Sequence, residues 1–157
     1  MFQGEGRHDN PETYGCLYLA GEAVSALVEQ LARFRGQRLT PALLQRRGLP
    51  LALAELELDD AADVIDLDDP RTLARERLRP SLVVTRRRDI TQQQALALYA
   101  SHRTAAALRW WSTYESLWPN YTVFDRASAA LELVSVAEVT LEQAVVVEAA
   151  EFLGLRA

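Results

Sequence analysis

The chain has 157 residues, 49% of them apolar, which is enough for one globular domain with a real core and too few to expect two. Its formal net charge of -5 excludes a general nucleic-acid binder, because neutralising phosphates needs a basic surface. A single cysteine, Cys16, rules out an internal disulfide or a Cys-rich zinc site, and no apolar run approaches the length of a membrane span.

The opening MFQGEGRHDNPETYG is polar and rich in turn formers, with no h-region of a signal peptide, so a reducing, cytoplasmic setting is expected. Gly4, Gly6, Asn10, Pro11 and Gly15 make this segment a loop that delivers Arg7 and His8 to the first strand. In that strand Cys16, Tyr18 and Ala20 share one side, and Leu17 and Leu19 the other. A helix follows, with Val24, Leu27, Val28 and Leu31 on its apolar face and Ser25, Glu29 and Arg33 opposite. A tyrosine on a strand and a carboxylate on the next helix can flank one pocket. Arg7 lies eleven residues before Tyr18, and Glu29 eleven after it.

Gly36 and Pro41 break the chain, and residues 42–48 read as a helical turn or irregular loop. Residues 51–58 alternate leucine with small or acidic residues and predict a strand, and residues 64–67 add a brief one. Asp69 followed by Pro70 gives the N-cap and N1 signals of a helix running to about Leu78, which Pro80 stops. SLVVT then reads as a short strand, followed by the basic cluster Arg86, Arg87 and Arg88. Thr91 caps a helix whose Ala95, Leu98 and Tyr99 form an apolar stripe. Residues 106–112 and 121–124 predict two strands joined by a loop with Trp118, Pro119 and Asn120; residues 131–139 predict another. A last helix begins near Leu141 and stops at Gly154. Strands and helices interleave without the regular rhythm of a doubly wound sheet, so an α+β domain spanning residues 1–157 is expected.

Taken one at a time, the candidate residues have plain readings. Glu29 fits a solvated helix residue paired with Arg33 at i,i+4, Arg7 a loop arginine, and Tyr18 an ordinary strand aromatic. Their order changes the weighing. Gly6-Arg7-His8 with the turn Asn10-Pro11, then Leu17-Tyr18-Leu19-Ala20, then Ala26-Leu27-Val28-Glu29, resembles the signature of the RES domain, a bacterial toxin family named for an Arg, a Glu and a Ser. The downstream blocks DITQQQALALYASH, ALRWWS and WPNYTVFD are similar to its Thr-Gln helix, its Ser-bearing strand and its Asn-x-x-x-Phe strand, which makes Ser112 the third namesake.

The resemblance implies an ADP-ribosyltransferase-like α+β fold, with small mixed sheets flanked by helices. It implies a toxin that consumes NAD as substrate by cleaving the nicotinamide N-glycosidic bond, through hydrolysis, phosphorolysis or ADP-ribosyl transfer, with no metal. A cognate antitoxin would cover the pocket, and family toxins often occur as homodimers in such complexes; neither nucleic acid nor membrane is an expected partner. Arg7, Glu29 and Ser112 would be the catalytic set, with Arg7, Tyr18 and Ser112 contacting NAD. A carboxylate stabilises the oxocarbenium-like ribose as the bond breaks, which suits Glu29, and the arginine fork suits pyrophosphate. Tyr18 would stack on a base, and the Ser112 hydroxyl would hydrogen-bond the ribose or the nicotinamide amide. Ser112 is not expected to act as a nucleophile, since no histidine is placed by sequence to activate it. His8 is expected to be an unremarkable loop histidine. Members usually carry a further strand upstream, with a Tyr-Arg or similar pair, that this chain starts too late to contain. The alternative expectation is therefore a RES-like module that binds a partner without catalysis.

Overall fold

The computed structural model describes residues 4–156; the first three residues of the polar opening stretch, and Ala157, lie outside it. In chain order the strands are β1 (Cys16–Ala20), β2 (Gln45–Arg46), β3 (Leu49–Pro50), β4 (Ala52–Leu58), β5 (Val64–Asp66), β6 (Ala107–Trp111), β7 (Pro119–Phe124) and β8 (Leu131–Glu138). The helices are α1 (Ala23–Leu31), α2 (Pro70–Arg75), α3 (Pro80–Val83), α4 (Arg88–Ser101) and α5 (Ala144–Leu153). Two compact units result, each assembled from two stretches of sequence: Met1–Leu19 with Leu58–Leu131, and Ala20–Glu57 with Glu132–Ala157.

The first unit is built on a four-stranded sheet in the order β1-β7-β6-β5. β6 runs parallel to β5, with Ile65 opposite Leu108, and antiparallel to β7, with Leu108 opposite Thr122 and Trp110 opposite Asn120. Period-two alternation gives this sheet two different faces. One carries Cys16, Ile65, Leu108, Trp110 and Phe124 into a core closed by Leu73, Val83, Ala95 and Leu98 from the helices. The other turns Ala107 and Val123 toward Ala127, Leu19, Leu58 and Leu131. The predicted stripe of α4 is the face it buries, with Ala95 and Leu98 in the core and Tyr99 packed against it.

Three expectations fail in this unit, two for local reasons and one through a distant partner. α2 ends at Arg75 and not near Leu78, because Arg77 adopts a left-handed φ of 56° and Leu78 N–H bonds back to Leu73 O at 2.9 Å. That is a Schellman close with arginine where glycine is usual, so the sequence carried no stop signal. SLVVT is not a strand: Pro80 starts α3, where its fixed φ and missing N–H cost nothing. Thr91 does not cap α4, which begins at Arg88; its hydroxyl instead donates to Arg7 O at 2.6 Å. The Asp69 cap holds, its carboxylate accepting from Arg71 N and Thr72 N.

In the second unit α1 packs against α5, burying Leu27, Val28 and Leu31 on one side and Val146, Ala149, Ala150 and Leu153 on the other. α5 ends as expected, with Gly154 at φ 65° and Leu155 N–H on Ala150 O. Residues 42–48 are more ordered than expected. A 3₁₀ turn over Pro41–Leu44 leads into the β2–β3 hairpin, whose two loop residues Arg47 and Gly48 both have positive φ, at 54° and 78°. That is the pairing a type I′ turn requires. β4 and β8 form a separate two-stranded sheet. Among the described residues no helix is long and apolar enough to cross a membrane.

Ser25 is a further correction. It is fully buried among the α1 residues of the packed face and does not lie on the polar side, and its hydroxyl has no hydrogen-bond partner among the described residues. Ser25→Ala removes an unsatisfied buried hydroxyl and improves helix propensity, so it is expected to stabilise the fold by about 1 kcal/mol, read as a rise in the chemical-denaturation midpoint.

Candidate functional site

The opening loop lies over one end of the core face of the first unit's sheet, and a single carboxylate holds it there. Asp9 Oδ2 accepts the backbone N–H groups of Gly4 at 2.7 Å and Gly6 at 2.8 Å, while Oδ1 accepts the Tyr18 hydroxyl at 2.7 Å. The same Tyr18 oxygen accepts His8 N–H at 2.8 Å. Hydrogen bonds to its charged form hold the Asp9 carboxyl below the usual range against the opposing effect of burial. Gly6 is required for space: a Cβ there would come within 2.5 Å of Asp9 Oδ1 and 2.6 Å of the Tyr18 hydroxyl. Asp9 was not a candidate from sequence.

The α4 helix grips the loop from its other side. Gln92 Nε2 donates to the carbonyls of Gly4 and Gly6, and Gln92 O accepts from Asn10 Nδ2. Together with the Thr91 bond to Arg7 O, this gives the Thr-Gln pair of the sequence a physical role in clamping the loop.

Arg7 is buried. Its Nη1 donates to Val83 O at 3.2 Å and Thr85 O at 2.8 Å, at the C-terminal end of α3, and its guanidinium lies 4.8 Å from the Trp110 ring centroid. His8 is also buried, and its Nδ1 lies 2.8 Å from Thr122 Oγ1. The Trp110 indole, a donor only, gives its proton to that same oxygen at 3.2 Å, so the Thr122 hydroxyl proton is available to His8 Nδ1. Burial, reinforced by Arg7 and Arg88, lowers the His8 pKa to about 3, and the ring is neutral at ordinary pH. His8 is thus no bystander in a loop. It is a packed member of the site, edge-on to Trp110 with centroids 5.4 Å apart.

Ser112 continues the β6–β7 register one step past the strand, with its N–H on Trp118 O at 2.8 Å, which puts it on the same face as Trp110 and Asn120. Its Oγ accepts Tyr114 N–H at 3.2 Å, and the residue is buried. Tyr18, Trp110 and Ser112, with Arg7 above Trp110, therefore belong to one polar end of one sheet face. Buried Asn120 and Thr122 complete it, and alternation along β7 is the signal that could have found them. Glu29 stands on α1 in the other unit, with an exposed side chain.

Apart from the Asp9 carboxylate and the Arg7 guanidinium, the titratable groups at this end of the sheet stay uncharged. Burial pushes the Tyr18 phenol well up and the Cys16 thiol up to about 12, and His8 stays uncharged. Near neutral pH it contains polar donors and acceptors, an arginine and an indole, with no thiolate or phenolate. Among the described residues no group of three or more His, Cys, Asp or Glu side chains could hold a metal ion.

A family model described as the RES domain matches residues 2–144. No curated protein matches the chain. Among solved structures, a chain from the crystal structure of the M. tuberculosis MbcT–MbcA toxin–antitoxin complex is similar at 17% identity, covering 96% of this chain and 76% of that one, with a TM-score of 0.61. The likeness is one of fold, and it agrees with the α+β class read from the sequence and with the ADP-ribosyltransferase-like fold that the family resemblance implies.

The buried histidine gives a signed pH dependence. Its pKa is 6.5 ordinarily and about 3 when folded, so between those values the unfolded chain binds the extra proton and stability falls as pH drops through the window. His8→Asn, which keeps a polar atom near Thr122, is expected to flatten that fall, whose slope reaches about 1.4 kcal/mol per pH unit at most. Melting temperatures of both proteins from about pH 7 to about pH 4.5 check it, above the range where Asp9 adds its own loss. Gly6→Ala is expected to cost about 2 kcal/mol or more, because Asp9 and Tyr18 must part to admit the methyl group.

Proposed function

Because the chain belongs to the RES domain family, we propose that it is a toxin that consumes NAD at the nicotinamide N-glycosidic bond and is held in check by a cognate antitoxin. The observation that carries this reading is the gathering of Arg7, Tyr18, Trp110 and Ser112 at the polar end of one sheet face, in a chain matched by the family over residues 2–144. The toxin–antitoxin character of the structurally similar complex supports the partner.

In this reading the C–N bond breaks with its electron pair passing to the nicotinamide ring, which needs no proton to leave. The ribose carbon gains positive charge, and the Glu29 carboxylate stabilises it. Arg7 holds the pyrophosphate or orients the ribose, Tyr18 offers its ring to a base, and Ser112 hydrogen-bonds a ribose hydroxyl or the nicotinamide amide. Water, phosphate or a protein side chain then takes the ADP-ribosyl group. A chemistry that asks for positioning, with no activated serine, suits a site whose one histidine is neutral and bonded to Thr122. In this reading the activity is cytoplasmic, a setting that suits a chain with a single cysteine.

Purified protein is expected to release nicotinamide from NAD, measured by chromatography with and without phosphate to separate phosphorolysis from hydrolysis. Glu29→Gln is expected to lower the rate about 100-fold or more, and Ser112→Ala about tenfold. Undiminished cleavage by Glu29→Gln would remove the carboxylate from the mechanism. Intact NAD beside tight binding of the adjacent gene's product would instead favour a partner-binding module without catalysis.

A further inference from the structure

The two-stranded sheet of the second unit leaves one strand unfinished. β8 is eight residues long and, among the described residues, pairs with β4 alone. The residues from Glu132 to Glu138 are all exposed, and Leu133, Val134 and Val136 are 58%, 53% and 59% accessible, values unusual for three large apolar side chains in a row of seven. Each strand of a two-stranded sheet has an outer edge; on β4 the side chains of Leu53, Leu56 and Leu58 are half-buried, whereas those of β8 from Glu132 to Glu138 are all exposed, so β8 is the more accessible edge. Proteins blunt such edges with lysine, proline or very short strands. β8 has neither residue and is not short, and its charged side chains, Glu132 and Glu138, stand only toward its two ends.

Its chemistry selects what could sit there. Val134 and Val136 share a face with Glu132 at one end and Glu138 at the other, by alternation. β4 adds Glu55 and Glu57, with Asp59 and Asp60 just beyond, and residues 51–60 and 131–139 contain no arginine or histidine. Glu55 accepts the Ser135 hydroxyl at 3.1 Å, so by alternation the sheet keeps the Glu55 and Glu57 carboxylates on its opposite face as well. A second copy of β8 is a poor occupant. Antiparallel about Ser135 it would set Glu132 against Glu138, and in parallel register each glutamate against itself.

We propose that the β8 edge receives an extended segment of a different protein, one with β-branched apolar residues at its centre and a cation at each end, added as a third strand. Main-chain hydrogen bonds supply the pairing, Val134 and Val136 take the apolar centre, and Glu132 and Glu138 take the cations. The proposal concerns the second unit alone and stands whether or not the chain consumes NAD.

The test uses the full chain and a labelled peptide, Arg-Thr-Val-Thr-Val-Thr-Arg, followed by fluorescence anisotropy. Saturable binding is expected, weakened about tenfold or more when the terminal arginines become glutamate. N-methylation of the three threonine amides in one peptide, and of the valine amides in another, should abolish binding in at least one case, because one row of N–H groups must pair with the edge. The surface variant Val134→Arg should lose binding while keeping its melting temperature, and NAD turnover should be unchanged. Absence of binding overturns the proposal, as does equal binding of both N-methylated peptides, which would be charge attraction only. Concentration-dependent dimers abolished by Val134→Arg would give the edge to a second copy and overturn it too.

Discussion

The Asp9 carboxylate makes three strong bonds at once, to two backbone amides of its own loop and to a phenol on β1. A charged acceptor makes each of these stronger than a neutral bond, and its low exposure keeps water from competing. Every later contact at the candidate site assumes this one. With the loop fixed, His8 reaches Thr122, Arg7 reaches the end of α3 and the face of Trp110, and Thr91 and Gln92 find carbonyls to hold. The tyrosine is fixed by the same bonds: its hydroxyl is occupied as donor and acceptor, leaving the ring as the part able to meet a ligand.

The same arrangement explains how so polar a loop can cover a sheet. Buried polar groups cost stability unless paired, and here Arg7, His8, Asp9, Thr91 and Thr122 are all buried and hydrogen-bonded. Arg126 does a comparable task at the other end of α4. It donates to the carbonyls of Tyr99, His102 and Arg103, and its guanidinium stacks on Tyr99 at 3.3 Å from the ring centroid. A chain without lysine can do this because the planar guanidinium serves several carbonyls from one place and still presents a flat face to an aromatic ring.

What the sequence revealed depended on whether a signal was local and repeated. The strand around Tyr18 was legible through alternation, and the α2 start through Asp69-Pro70, since both patterns are written in adjacent letters. Pro80 was misread because proline both ends and begins helices, and only the chain after it decides which. Thr91 had the composition of a cap, yet its hydroxyl is used by a loop 84 positions away. Ser25 fell on the polar side of a helical wheel, yet the fold buries it. Asp9 and Thr122 carry no motif of their own; they matter through partners that only folding brings near. The family blocks single out Arg7, Tyr18 and Ser112, which lie in one unit, and Glu29, which lies in the other; periodicity links none of them.

The first unit sets β1 beside β7 although about a hundred residues separate them in the chain. Made from its N-terminus, the polypeptide has Arg7 and Tyr18 long before the strand bearing Asn120 and Thr122 leaves the ribosome, so the sheet face they share cannot close until most of the protein has emerged. A nascent or prematurely ended chain lacks that surface altogether. For a protein read as harmful to its own cell, the interval between synthesis and completion is built into the order of its strands.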